Sequence, residues 1–392
     1  MKNLLLESNG WSAMKKALTA DLPDTKRRIT ETVYENTRRA LLENMNGGTV
    51  AGGIAAVNKV IMPVIRRVMP TVIANEIIGV QPMTGPVGQV ASLRYEYSDS
   101  FTANPQSGFN PSTVAGEEAL SPFLIAPGYS GNPNGSAELV STLEAQPGRP
   151  LELKILRSIV EAKTRRLSAS WSFEAAQDSQ SQYGFDVAAE LTDGLASQIT
   201  ADIDQEILGK LHQLARTEQV FDQSRLSGTP TYVGDEFAAL AVLINNAANQ
   251  IGQRIRHGAA NWAVVSPTAL SIIQSAKTSA FARTTEGVFE APTNTKFVGV
   301  LNNSMRVYVN SYVDSTTPIL IGFKGSETNA AAYYCPYIPL MSTGEVMNPF
   351  TMTPVISFMT RYGYLELTNT ATSLGNAGDY LSEIALANIS FS

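Results

Sequence analysis

Residues 186–216 read DVAAELTDGLASQITADIDQEILGKLHQLAR, with large apolar side chains at Val187, Leu191, Leu195, Ile199, Ile203, Ile207, Leu211 and Leu214. This spacing of four predicts one long α-helix, about 45 Å at ~1.5 Å per residue. Steps of four at ~100° per residue drift by ~40° each, so the apolar ridge winds around the helix. No single flat partner covers such a ridge. The helix must touch several elements in turn, as the backbone helix of a subunit does.

Upstream, Leu167, Ala169, Trp171 and Phe173 alternate with Ser168, Ser170 and Ser172, which predicts a half-buried strand preceded by Arg165 and Arg166. Another strand is expected at Val90 to Tyr97, with Leu93, Tyr95 and Tyr97 on one face and Arg94 and Glu96 on the other. Between the two lie residues 98–150, rich in Gly, Pro, Ser and Asn and without periodicity. A loop of that length has a task of its own; an extended projecting arm or hairpin fits it, with disorder as the alternative. Nearer the N-terminus, Asp24 to Asn44 reads as a helix capped by Asp24, with Ile29, Val33, Thr37 and Leu41 at spacings of four. Gly47-Gly48 and Gly52-Gly53 follow as joints, and Val60 to Ile78 reads as helical with breaks at Pro63 and Pro70.

Downstream, Asp235 to Gln250 predicts a helix and Trp262 to Val265 a strand. Ser266-Pro267 supplies an N-cap and a first-turn proline for a helix to Ala276. Strands are expected at Met305–Val313, Ile319–Phe323 and Ala331–Tyr334. A long strand from Pro354 to Leu367 is expected to bend at Gly363. Helices and strands mix without strict alternation, so the fold class is α+β.

The chain has 392 residues, which predicts two or three domains. Its 44% apolar content supports sizeable cores, but only 16% is charged, below the roughly 25% of an average soluble protein. So little charge is read as surface hidden against other chains; a neutral surface rich in Ser, Thr, Asn and Gln is the alternative. Of the net charge of −6, residues 1–70 carry eleven basic and six acidic groups, and the remainder is acidic. Arg27, Arg28, Arg38 and Arg39 lie in this basic stretch. They are read as assembly-interface residues, with contact to nucleic acid or a solvated helix face as alternatives.

No stretch approaches the ~18 uninterrupted apolar residues of a membrane helix, and no export signal is expected. The single cysteine, Cys335, excludes an intrachain disulfide and reads as a buried small hydrophobe. Two histidines cannot build a His-rich metal site, and no phosphate-loop, dinucleotide or zinc-protease motif occurs. No catalytic residue, cofactor or metal is expected. Asp202 and Asp204 read as helix surface. A hydrolase would have to recruit Ser130, His212 or His257 with an acid.

Several blocks together resemble the major capsid proteins of tailed bacteriophages, specifically the T-even-type family. They are Val68-Met69-Pro70 through Gly79-Val80-Gln81-Pro82-Met83-Thr84-Gly85-Pro86-Val87-Gly88-Gln89-Val90; Val160 through Leu167 and on to Asp178; Tyr183-Gly184-Phe185-Asp186 with Ala189-Glu190-Leu191-Thr192; Gly299-Val300-Leu301-Asn302 with Arg306-Val307-Tyr308-Val309; Gly322-Phe323-Lys324-Gly325 with Tyr333 through Leu340; and Thr360-Arg361-Tyr362-Gly363. They keep the family's order across roughly residues 68–365.

The resemblance implies the HK97-like fold. It divides the chain into an N-terminal arm (1–70), a peripheral domain (71–97, 151–234 with the spine helix, and 346–392), an extended loop (98–150) and an axial domain (235–345). It implies a structural protein that self-assembles as hexamers and pentamers into an icosahedral head shell around packaged double-stranded DNA, without sequence specificity and without a membrane. Scaffold, portal and decoration proteins stand as further candidate partners. The location implied is the virion capsid, assembled in the cytoplasm of an infected bacterium. Arg165 and Arg166 join the arm arginines as assembly-interface candidates. Gly47, Gly48, Gly52, Gly53 and Gly363 are hinge candidates, since one sequence must build both kinds of ring. The family's larger members carry an insertion domain near the extended loop, and residues 98–150 are too few for one. The arm is expected to be retained and to lie on the shell's inner side or across a neighbour. Alternatives are a pentameric vertex protein of the same fold, an encapsulin-type cargo shell, a hydrolase, or a DNA-binding protein using the basic arm.

Overall fold

The computed structural model describes residues 8–20, 22–46, 72–104, 112–116, 119, 127–144, 148–182, 184, 187–222, 233–255, 258–275, 281–283, 295–302, 304–348, 350–351, 353–368 and 376–389. Its N-terminal segment is a helical pair, α1 (Ser8–Thr19) and α2 (Asp24–Asn46). Ile29, Val33, Tyr34 and Thr37 of α2 fall on one face and are buried. The buried hydroxyls of Thr30 and Thr37 donate to the carbonyls of Lys26 and Val33 one turn back, so burying them strands no polar group. Ile29, Val33 and Tyr34 belong to the main hydrophobic core. The segment expected to reach away as an arm is here packed on its own body.

A helical turn at Ala74–Ile77 leads to β1 (Gly79–Val80); residues 60–71 of the longer helix expected there lie outside the described residues. β2 (Val87–Tyr97) and β3 (Leu151–Glu161) then pair with each other alone, in unbroken register from Val87↔Glu161 to Tyr97↔Leu151. Eleven residues a strand at ~3.3 Å each make a ribbon about 36 Å long. Its tip has a small core of Tyr97, Phe101, Ala103, Ala119 and Tyr129. Arg149 stacks on Phe101 at 4.4 Å and donates to the Gly128 carbonyl at 3.2 Å. Tyr95 and Tyr97 share a face of β2 as expected, but their burial differs. Tyr97 is covered by this tip core, whereas Tyr95 is exposed and Glu96 is buried, its carboxylate 3.0 Å from Lys154.

β4 (Lys163–Ser170) is the predicted alternating strand, but it ends before Phe173, which starts α3 (Phe173–Gln182) and is exposed. The Ser172 hydroxyl accepts the Ala175 N–H at 3.2 Å, a cap that favours helix over further strand. The long ridge becomes α4 (Val187–Leu214), with Leu195, Ile199, Ile203, Ile207 and Leu211 all buried. It packs on α3, β4, β14 and β15, the successive partners its winding requires.

The remaining elements are β5 (Arg216–Asp222), α5 (Val233–Ile255), β6 (Trp262–Val265), α6 (Pro267–Ser275), β7 (Phe281–Arg283), β8 (Thr295–Leu301), β9 (Met305–Asn310), β10 (Ile319–Gly322), β11 (Lys324–Ser326), β12 (Asn329–Ala330), β13 (Ala332–Met347), β14 (Pro354–Glu366) and β15 (Leu381–Ala387). Ser266 caps α6 as predicted, its hydroxyl accepting the Ala269 N–H at 3.2 Å. One sheet runs β1-β13-β14-β4 and a larger one β5-β15-β10-β6-β9-β8-β7. The larger sheet is covered on both faces, which explains its short continuous apolar strands. Ala263, Val265, Ile319 and Ile321 face α5 and α6 in one core. Trp262, Val264, Leu320 and Tyr308 face a second core shared with α2, α4 and the four-stranded sheet.

β13 is much longer than the Ala331–Tyr334 strand predicted. Its pairing with β14 shifts register around Pro336, Ile338 and Ser342, so the strand passes its prolines through irregularities. A domain boundary expected at 345/346 falls inside this strand, and β15, expected with the peripheral part, pairs with β10 and β5 of the seven-stranded sheet.

Candidate assembly surfaces

Most of the basic side chains of α2 are engaged within the chain. Lys26 Nζ lies 2.5 Å from Glu76 Oε1, and Arg306 lies 3.0 Å from the other Glu76 oxygen. Burial pushes the Glu76 carboxyl up, but Lys26, Arg306 and Lys324 together hold it below its ordinary value. Arg27 pairs with Asp24 at 2.5 Å. Arg38 pairs with Glu35 at 3.3 Å and lies 5.8 Å over the Trp11 ring. Arg39 donates to the Thr84 carbonyl at 3.3 Å. Arg28 is exposed, beside a cavity of about 390 Å³ shared with Asp24, Val80, Pro82 and Glu327. Asn36, which no motif marked, fixes α2 to the body: its amide donates to the carbonyls of Met83 at 2.6 Å and Tyr337 at 3.1 Å.

Arg165 and Arg166 separate completely. Arg165 turns toward α4, where its guanidinium donates to Glu206 and, at 2.6 Å, to the Tyr362 hydroxyl. Tyr362 also donates to Glu206, and Lys210 reaches the same carboxylate at 2.6 Å. Burial raises the Glu206 carboxyl, but Lys210, Tyr362 and Arg165 outweigh it and bring it to about 2. Arg165 therefore ties β4 and β14 to α4 within the chain, with 37% of its side chain exposed. Arg166, one position on, takes the opposite face. It is exposed and makes no ion pair among the described residues. It borders a cavity of about 470 Å³ with Leu167, Ser168, Met341, Ser342, Ser357, Phe358 and Met359.

Gly363 lies inside β14, paired with Cys335, rather than at a bend. A Cβ there would stand 2.2 Å from Val160 Cγ1. The missing side chain lets the base of the ribbon sit directly on the sheet, which replaces the hinge reading with one of close approach. Gly47, Gly48, Gly52 and Gly53 lie outside the described residues.

Among the described residues, the ribbon gathers several exposed large apolar side chains onto one face. Leu151, Leu153, Ile155 and Ile159 of β3 alternate onto one face, and the register places Tyr95 and Val87 of β2 on the same face. These six side chains are between 52% and 65% exposed. The opposite face packs through Val90 and Val160 on Met83, Tyr333 and Cys335 at the base. Leu151, Leu153, Ile155 and Tyr95 adjoin one another, while exposed Arg157 and Gln89 on the same face set Ile159 and Val87 apart from them; free monomers rarely leave large contiguous apolar patches uncovered.

The groups considered for chemistry do not converge. Ser130 lies in a turn at the ribbon tip, whereas His212 is at the end of α4, its Nδ1 2.5 Å from Glu383; His257 is outside the described residues. Cys335 is buried, and burial pushes its thiol up to about 12. Among the described residues, no group of three or more His, Cys, Asp or Glu is placed to hold a metal ion. Asp204, expected on the helix surface, is instead buried. One carboxylate oxygen accepts the Ile73 N–H at 2.9 Å, the other finds no donor among the described residues, and burial pushes the group up to about 7.

Residues 54–386 match the family model described as "Major capsid protein Gp23". The chain belongs to the Gp23 major capsid protein family. The major capsid protein of Vibrio phage KVP40 is 27% identical over 489 aligned residues, covering 93% of this chain and 95% of that protein. The alignment is longer than this chain, so the relative carries segments that this Gp23-family member lacks. The major capsid protein of Enterobacteria phage T4 is 25% identical over 403 residues, covering 82% of this chain and 77% of that protein. Among solved structures, the capsid of Myoviridae phage XM1 aligns with a TM-score of 0.44 at 11% identity, over 79% of this chain and 89% of that one. The Gp23 match begins beyond α2, so the helical pair and its contacts are described by this structure rather than by the family model. Major capsid proteins are structural, and the surfaces that matter in a Gp23-family chain are those that meet other subunits.

Proposed function

We propose that this chain is the shell-forming subunit of a tailed-phage head, assembling as hexamers and pentamers into an icosahedral capsid around double-stranded DNA, and located in the virion. The family match supports the class, and the observation that carries the mechanism is the exposed apolar face of the ribbon. A 36 Å ribbon that holds six large apolar side chains exposed on one face, with Gln89, Arg157 and Glu161 among them, is a poor surface for water and a good one for a neighbour. The proposed division follows the sheets: α1–α2 as an N-terminal element, the ribbon with its tip as the extended loop, the four-stranded sheet with α4 as the peripheral part, and the seven-stranded sheet with α5 and α6 as the axial part. That is the HK97-like arrangement. Many weak contacts repeated around a closed shell then add up to a stable container.

The test is electron microscopy and sedimentation of the purified full-length chain beside its Leu153→Glu/Ile155→Glu variant. The wild type should form rings, tubes or shells. The variant should keep its melting temperature, because both side chains are already exposed, yet fail to assemble. Normal shells from the variant would remove the ribbon from the mechanism. Rings of five alone would point to a vertex subunit.

A further inference from the structure

Phe350, in the turn between β13 and β14, is 95% exposed, more than any other large apolar side chain among the described residues. The turn that carries it is built. The Asn348 N–H donates to the Thr353 carbonyl at 3.0 Å, the Phe350 N–H donates to Asn348 Oδ1 at 3.1 Å, and the Thr351 and Thr353 hydroxyls are 2.7 Å apart. Val346 and Met347 beside it are half exposed, and residues 346–354 carry no charge. The structure thus holds an aromatic ring out into solvent at the end of a strand pair.

The same sheet carries a receptor of matching chemistry. On its side away from α4, the cavity of about 470 Å³ is bordered by Met341, Met359 and Arg166. Thioethers contact aromatic rings favourably, and a guanidinium stacks on them. Phe350 cannot fill this cavity in its own chain. Met359 lies five strand steps beyond Pro354, where β14 leaves the turn, which at ~3.3 Å per residue puts it about 17 Å down the strand from the turn that holds Phe350 outward.

We propose that Phe350 of one subunit docks in the Arg166–Met341–Met359 cavity of a second copy of this chain. The inference rests on the shell-subunit reading above. The contact joins the tip of one sheet to the face of the next, so it is head-to-tail and closes only around a symmetry axis. It also gives Arg166 a partner that Arg165, committed to Glu206, cannot take.

Phe350→Ser in the full-length chain should leave the melting temperature unchanged and raise the concentration needed for assembly by about tenfold or more, as loss of an aromatic anchor does. A direct readout is the Phe350→Cys/Met359→Cys variant treated under assembly conditions with a short thiol-reactive cross-linker. Cys335 is buried and does not compete. The double variant should give covalent oligomers, and neither single variant should. If the wild type assembles, Phe350→Ser assembles equally well and no covalent oligomers form, the contact is overturned and the shell reading stands. If the wild type stays monomeric under every condition, the shell reading fails and takes this contact with it.

Discussion

Asp204 sits in the apolar ridge of α4 beside Ile203, and its carboxyl holds the N–H of Ile73 at 2.9 Å with no donor on its other oxygen among the described residues. In the folded chain it keeps its proton up to about 7, against an ordinary value of 3.8. The folded chain therefore binds more protons than the unfolded chain between those values. Stability contributed by this group falls as pH rises through that window and levels off above it. Asp204→Asn keeps the acceptor and cannot ionise. Urea unfolding should show it more stable than wild type above pH 7, on the order of a few kcal/mol, with the difference vanishing near pH 4. Equal stability of the two at pH 8 would show that the carboxylate is solvated or paired. The sequence placed this residue on the surface because a helical wheel with a winding ridge has no fixed inner face. The same limit applies to Arg165 and Arg166. Strand alternation says that they point oppositely, but not which one meets Glu206.

At the scale of elements, Gly363 and Val160 form a seat between β14 and the ribbon base. Gly363→Ala should cost about 1–3 kcal/mol by overpacking, and Gly363→Ala/Val160→Ala should recover most of it, as measured by thermal melting. A loss that Val160→Ala does not relieve would return Gly363 to the role of a hinge. α4, β6, α6 and β14 were legible because each carries an undiluted signal: a spacing of four, a short apolar run, a Ser-Pro start, a long alternation. β13 was not, since Pro336 and Pro339 read as the end of a strand that the structure continues past them through register shifts. The ribbon was legible only as a projection. Its apolar face came from the pairing register of two strands 53 residues apart, which neither strand shows alone.

For the whole molecule, low charge and the basic N-terminal segment pointed to an assembling subunit with a free arm. The first stands with the family; the second is altered by α2, whose Ile29, Val33 and Tyr34 help close the core shared by both sheets. Deleting residues 1–46 should therefore expose that core and give aggregated or partly unfolded chain, detected by dye binding and lost near-ultraviolet dichroism. A well-folded, soluble deletion product would show that the helical pair is dispensable packing. Asn36 on this pair bonds Tyr337, 301 residues later in the chain. The helices thus leave the ribosome some 300 residues before the strand that completes their seat. At roughly 5–20 residues per second of synthesis, the apolar side of α2 waits some 15–60 seconds before β13 exists. During translation the nascent chain must keep that side shielded, so the time spent being made, more than the final structure, sets when this subunit is most exposed to aggregation.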